Sequence, residues 1–243
     1  MEYAKMNNPL YPLSSKYDPQ WIIKNQMGSH CLWLTEALVK SMEIKQGMRI
    51  LDLGCGKALS SIFLSKEFNV DVWAFDLNIS ASDNWKRIKE AQADNLVFPI
   101  QGDALKMPFA DEFFDAVISI NSIWSYGTNE DFVEKHLARI VKPRGQIGVV
   151  ITGMFDELTE PPDYLKPYWH PDFDSYHSPA WWYDLWKKSN SINVNIIDTF
   201  EDKEGVSIWR NFAQILSPDE SNCLMEADNG RNITFIRLLA TKK

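Results

Sequence analysis

The sequence predicts an α/β fold in which helices wind over both faces of a mostly parallel sheet. Three observations carry that prediction. Short, near-continuously apolar segments alternate with amphipathic ones between residues 48 and 152, as expected of strands buried on both faces. A glycine turn stands between the first such strand and the first helix after it. The chain has 243 residues, 45% of them hydrophobic and 24% charged, which suits one domain with a large core that needs no disulfide or metal.

The elements follow in order. Asp18-Pro19 supplies the cap and first turn of a helix carrying Trp21, Ile22 and Ile23, since Asp accepts from free helix amides and Pro is pre-set for the first position. A second amphipathic stretch holds Leu32, Leu34, Leu38, Val39 and Met42 and stops at Gly47. Residues 48–53 form a strand, 60–68 a helix, 70–75 a strand, 80–93 a polar-faced helix and 97–100 a brief third strand. Residues 114–120, rich in β-branched and aromatic side chains, make a fourth. A helix over 131–141 ends before Lys142-Pro143, and 146–152 is a fifth strand.

From 153 to 176 the pattern breaks into a proline- and aromatic-rich insertion. Ser178-Pro179 then caps a helix through Trp181, Trp182, Leu185 and Trp186. Residues 192–200 read as a strand, and Ser217-Pro218-Asp219-Glu220 as a capping box. Residues 233–240 read as a terminal strand, placed at an antiparallel edge because it follows its predecessor so closely. With no repeat or linker, the chain divides into an N-terminal helical cap (1–46), a core (47–152), an aromatic insertion or lid (153–177) and the remainder of the sheet (178–243).

A net charge of -8 argues against a nucleic-acid partner, which demands clustered Lys and Arg. Cys31, Cys55 and Cys223 are scattered, with no CxxC pair and no zinc spacing. They read as small buried hydrophobes of a reducing compartment, and no metal site is expected. The first residues lack the apolar run of a signal peptide, and no segment is apolar for long enough to span a bilayer. The expected location is cytoplasmic, without membrane insertion.

The informative run is Asp52-Leu53-Gly54-Cys55-Gly56-Lys57-Ala58. Gly54 and Gly56 allow a sharp turn that a ligand can approach closely. A dinucleotide loop would place a third glycine where Leu59 stands. Asp52 would repel a pyrophosphate, yet it could organise, directly or through water, a cationic amino-acid moiety. S-adenosylmethionine carries a sulfonium and an ammonium and fits that acid better. Asp76 ends the second strand at roughly the ~20-residue offset of a ribose-binding carboxylate. Asp103 follows the third strand, where the edge of an adenine ring would lie. Each acid alone is as commonly a surface loop residue, but at the C-terminal ends of successive parallel strands they define one crevice.

On these residues the chain resembles the class I S-adenosylmethionine-dependent methyltransferases, from about Asp18 to the C-terminus. Asp52-Leu53-Gly54-Cys55-Gly56 resembles the family's glycine motif, with Ala58 where another glycine is usual. Phe114-Asp115-Ala116-Val117 resembles its fourth strand. Val141-Lys142-Pro143-Arg144-Gly145 resembles its turn before the fifth, with Arg144 in place of a glycine. The resemblance implies a doubly wound, Rossmann-like seven-stranded sheet in the order 3-2-1-4-5-7-6 with strand 7 antiparallel. It points to the small-molecule branch, methyltransferase type 11 or cyclopropane-fatty-acid-synthase-like. It also implies that Asp76 meets the ribose hydroxyls and Asp103 the adenine. Asp52, Gly54, Cys55, Gly56, Leu77, Ala104, Asn121 and Tyr17 are expected to complete the donor site, with Tyr11 and Met27-Gly28 on the side that folds over it.

The acceptor is expected beyond the fourth strand and beneath the insertion. Asn121-Ser122-Ile123-Trp124 lacks the Asn/Asp-Pro-Pro-aromatic motif of amino-group methylases, and Glu160-Pro161-Pro162-Asp163-Tyr164 lies in the wrong segment. Tyr164, Tyr168, Trp169, Phe173 and Tyr176 suggest an aromatic lid that excludes water. Trp182 and Trp186, at helical spacing, suit the core better. His177 and Tyr126 are the candidate catalytic groups and His170 a lesser one, since imidazole titrates near ~6.5. The expected activity is methyl transfer to O, N or C of a small molecule. The alternatives are a non-catalytic S-adenosylmethionine-binding protein, an NAD-dependent oxidoreductase, or a methyltransferase acting on a lipid or macromolecule.

Overall fold

A computed structural model describes residues 6–200, 204–213 and 220–243. Seven strands form one sheet: β1 (Arg49–Leu53), β2 (Asp71–Asp76), β3 (Val97–Gln101), β4 (Phe114–Ile120), β5 (Val141–Met154), β6 (Ile192–Asp198) and β7 (Ile233–Lys242). Their order is β3-β2-β1-β4-β5-β7-β6. The first five run parallel, and β7 is antiparallel to both β5 and β6. This is the order and direction expected, with β6 at the edge and β7 interior. Its apolar pattern says why: Phe235, Ile236 and Leu238 are fully buried, which a strand flanked on both sides sustains.

Helices cover both faces. Ile50, Val72 and Ile118 point toward α1 (Pro19–Asn25), α2 (Cys31–Val39) and α3 (Leu59–Phe68). Leu51, Leu53, Val117 and Val149 point the other way, toward α5 (Pro179–Trp186) and the helical segment after residue 131. Trp182 and Trp186 are fully buried on that second face, so they are core. α4 (Ala81–Glu90) and α6 (Glu204–Ala213) flank the sheet, and α7 (Glu220–Asp228) carries the chain into β7. Side-chain caps start the helices where expected: Asp18 accepts from Gln20 N, Ser80 from Asp83 N and Ser178 from Trp181 N.

Three local expectations are corrected. The helix placed over 131–141 widens to a π-helical turn, Val133–Ala138. Val141 already pairs with Phe114 of β4, after which the register shifts. Arg144 takes φ 65° there, a left-handed conformation that suits glycine better. α6 has no counterpart in the sequence reading. Ile208 on it is buried, and Trp209 stacks on Phe235 at 5.2 Å. Ser217-Pro218-Asp219 of the capping box, like residues 1–5, lies outside the described residues. Among the described residues no helix is long and apolar enough to cross a membrane.

Candidate functional site

The site forms where the parallel strands end. After Leu53 the backbone turns through Gly54 at φ 74° and Gly56 at φ 52°, and Ala58 enters α3 at φ 62°. A Cβ on Gly54 would sit 2.1 Å from Ser122 Oγ, so the loop after β4 packs against bare backbone. The amides of Gly54 and Cys55 donate to Phe75 O at 2.8 and 3.1 Å. Asp76, the last residue of β2, closes the turn from the other side. It accepts from Gly56 N at 2.8 Å, Asn78 N at 2.8 Å and Ile79 N at 3.0 Å. Three backbone donors hold the carboxylate in place and still leave lone pairs for a ligand.

Two cavities meet over this turn. One, of about 340 Å³, is lined by Gly54, Cys55, Gly56, Asp76 and Asn121, with Met27, Ser29 and Trp124 opposite. The other, of about 130 Å³, is lined by Leu53, Gly54, Asp76, Leu77, Asp103, Ala104 and Tyr126. They share Gly54, Asp76, Asn78, Ser122 and Ser125, so they are two halves of one cleft with Asp76 in the common wall. Asp103 spends one oxygen on Leu105 N at 2.8 Å. Asn121, at φ 52°, accepts through its side-chain Oδ1 from Thr152 N and Oγ1, so that oxygen is engaged within the protein. Met27 faces the turn: its sulfur would lie 3.1 Å from a Cβ on Gly56.

Four predicted site residues do not line the cleft. Asp52 is fully buried on the α3 side of β1, where it accepts from the hydroxyls of Ser60 and Ser61, each at 2.5 Å. Its other oxygen has no hydrogen-bond partner among the described residues. Burial pushes its carboxyl up to about 6, against the pull of the two hydroxyls. Tyr17 sits over the far end of α3, stacked on Trp21 at 6.1 Å and donating to Glu67 at 3.2 Å. α1 meets the glycine turn through its other end, where Asn25 lines the cleft and Lys24 O accepts from Lys57, and this leaves Tyr17 beside Glu67. Tyr11, expected on the same side, is buried against Trp33, with its hydroxyl on Glu204.

His177 lies outside the cleft too. Its Nδ1 is 2.7 Å from Glu157 Oε1, and its ring stacks on Trp181 at 3.6 Å. Tyr126 is brought to the cleft, but in the Asp103 half. Its hydroxyl lies 2.9 Å from Ser122 Oγ, 3.3 Å from Ser119 Oγ and 3.2 Å from Leu53 O. Burial drives its pKa upward, despite the two serines, so it is poorly suited to take a proton. His170 caps the short turn after it by accepting from Asp172 N.

Sequence reasoning passed over Asn78, and it placed Ser122, Trp124 and Ser125 only in the stretch 121–127 expected at the acceptor, whereas all four line the cleft. The available signal was position. Asn78 stands two residues beyond the end of β2, and Ser122 two beyond β4, where loops of an open parallel sheet enclose ligands.

Residues 50–145 match a family model described as a methyltransferase domain. The chain is 32% identical over 125 residues to a sterol 24-C-methyltransferase of Gibberella zeae, covering 49% of this chain and 32% of that protein. It is 29% identical over 151 residues to a demethylmenaquinone methyltransferase of Staphylococcus carnosus, covering 59% of this chain and 58% of the other. The matches thus span between a third and three fifths of these relatives' lengths. A geranyl diphosphate C-methyltransferase of Streptomyces coelicolor, solved with S-adenosyl-L-homocysteine, superposes with a TM-score of 0.72. It is 16% identical and the match covers 99% of this chain and 84% of that one, which is a likeness of fold.

Proposed function

We propose that the chain, whose residues 50–145 match a methyltransferase-domain family model, binds S-adenosylmethionine in the cleft and transfers its methyl group to a small-molecule acceptor. The observation that carries this reading is Asp76, fixed by three amides in the wall common to both halves of the cleft. The donor set fits the cofactor. Asp76 would take the ribose hydroxyls. Asp103 has an oxygen left for the adenine amino group, with Leu77, 59% exposed, as an apolar surface for the ring. Gly54, Cys55 and Gly56 would lie along the aminoacyl half, faced by Met27, Ser29 and Asn121. When bound, the sulfonium supplies an electrophilic methyl whose leaving group is a neutral thioether.

The chain's own contribution is then alignment and exclusion of water, which supply much of the acceleration in such displacements. Asp52 would act at a distance: it is buried beside the turn, and its charge adds to a field already negative from Asp76. A cation gains from that field and a pyrophosphate does not. Leu59 in place of a third glycine also counts against the oxidoreductase reading. In this reading Tyr17, beside Glu67, is left out of the donor site, and Tyr126, whose buried hydroxyl keeps its proton, is not the base. The relatives' names, a sterol and a demethylmenaquinone methyltransferase, support a small acceptor.

Calorimetry tests the reading. S-adenosylhomocysteine should bind the full chain at micromolar or lower Kd, and NAD should bind at least a hundredfold more weakly. Tighter NAD binding would reverse the assignment.

A further inference from the structure

Beside the cleft, between the loop after β4 and the insertion, opens a cavity of about 450 Å³. Trp124 and Ser125 line both spaces, so the two adjoin. The indole of Trp124 is fixed by its Nε1 donating to Asn121 O at 3.1 Å and by the edge of Tyr176 at 5.7 Å. The opposite wall carries Asp172, Asp174 and His177. Neither Lys nor Arg is among the described lining residues of this cavity. In the adjoining cleft Lys57 turns its ammonium toward Lys24 O at 3.4 Å.

His177 is held in one orientation. Its backbone carbonyl accepts from Met154 N at 3.1 Å, its Nδ1 meets Glu157 Oε1 at 2.7 Å, and its ring face lies on Trp181 with planes 8° apart. Glu157 is itself anchored by Ser178 N at 2.8 Å. Burial pushes the Glu157 carboxyl up, but the Ser178 amide and His177 outweigh it, and the net position is below the ordinary carboxylate range. Glu157 engages Nδ1, so Nε2 is the ring nitrogen left to meet a ligand.

We propose that this cavity receives the methyl acceptor, that the acceptor is an amine, and that Nε2 of His177 takes the proton the amine must shed. The proposal rests on the methyl-transfer reading of the adjoining cleft. A protonated amine is attracted by Asp172 and Asp174 and by the face of Trp124. Asp172 lies 3.4 Å from His170 Nδ1 and Asp174 accepts from Trp169 Nε1 at 2.9 Å, yet with neither Lys nor Arg among the described lining residues a carboxylate or phosphate would meet like charge. The protonated amine has no lone pair, so one N–H bond must break first, its electrons staying on nitrogen and its proton passing to Nε2. That lone pair then forms the N–C bond as the C–S bond breaks, its electrons returning to sulfur. The product is a methylated ammonium, and the proton on His177 leaves through the open side of the cavity to water.

The test uses three probes of one shape and different charge, benzylamine, benzyl alcohol and benzoate, on the full chain loaded with S-adenosylhomocysteine. Calorimetry should show benzylamine binding at least tenfold tighter than benzyl alcohol, with benzoate weakest. The D172N/D174N double variant should lose fivefold or more in benzylamine affinity. Its affinity for S-adenosylhomocysteine should stay unchanged. In proton NMR the His177 Hε1 resonance, assigned by its loss in H177Q, should move on adding benzylamine. The proposal is overturned if benzoate binds as well as benzylamine, if the double variant keeps full affinity, or if the His177 resonance stays still at saturation. Failure of S-adenosylhomocysteine to bind at all would instead sink the reading of the cleft.

Discussion

Replacing Asp52 by Asn keeps the shape of the residue behind the glycine turn and removes its charge. The structure sets the size of the effect. Burial raises the carboxyl from 3.8 to about 6, so the folded chain holds that proton where the unfolded chain has released it. At about 1.36 kcal/mol per pH unit, ionising Asp52 costs the fold about 3 kcal/mol at pH 7. The wild type should therefore lose this much as pH rises from about 4 to about 6 and stay level above. The Asn carbonyl can still accept from Ser60 and Ser61. Its NH₂ group, however, would occupy the position of Oδ1, which has no partner among the described residues. An unpaired buried donor costs roughly 1–3 kcal/mol at every pH.

The two effects offset near neutrality. D52N should be roughly 1–3 kcal/mol less stable than wild type at pH 4, from the unpaired amide alone, and equal to it or up to about 2 kcal/mol more stable at pH 7. Urea unfolding followed by tryptophan fluorescence, at half-unit steps from pH 4 to 7.5, reads the difference between the two proteins. Other titrating groups occur in both and cancel. That difference should climb by about 3 kcal/mol in favour of the variant over the window. A flat difference, or one that falls with pH, would refute the argument that Asp52 is ionised at a cost to folding.

His30 should show the opposite slope. Burial lowers its pKa from 6.5 to about 3, so the fold is fully stable above 6.5 and loses about 2 kcal/mol between there and pH 5; His30→Asn, which can still cap Trp33 N, should lose much less in the same urea series. Gly54→Ala places a methyl 2.1 Å from Ser122 Oγ at φ 74° and should cost roughly 2–4 kcal/mol in denaturant melts, from overpacking and left-handed strain together. Its affinity for S-adenosylhomocysteine should fall at least tenfold; unchanged calorimetry would place the ligand away from the turn. Asp76→Ala should weaken that binding by about 1.5–3 kcal/mol, and a variant that binds normally would show that this acid does not face the ribose.

What the sequence disclosed and what it hid divide along a physical line. Gly54, Gly56, Asp76 and Asp103 were legible because backbone geometry assigns them. A turn at the end of a parallel strand needs positive φ, and whatever stands at the ends of β2 and β3 must face the same edge. The strand order, β7 included, was carried by the resemblance, and the antiparallel pairing of β6 with β7 also by their closeness in the chain. Side-chain direction is a different matter. Asp52 is one residue from the glycine turn, yet strand alternation sends it to the α3 face, where Ser60 and Ser61 meet it. Tyr17 stands beside Glu67, and no periodicity in the first forty residues fixes where α1 docks. The insertion was hardest, because it has no repeat at all. His177 stood out in the sequence only as an imidazole among aromatics. Its meaning depends on Glu157, 20 residues away in the chain, which the end of β5 brings to 2.7 Å. Pairings of that kind belong to tertiary structure, so a cleft at the strand ends is readable from a strand-and-turn pattern while a cavity beneath an irregular insertion is not.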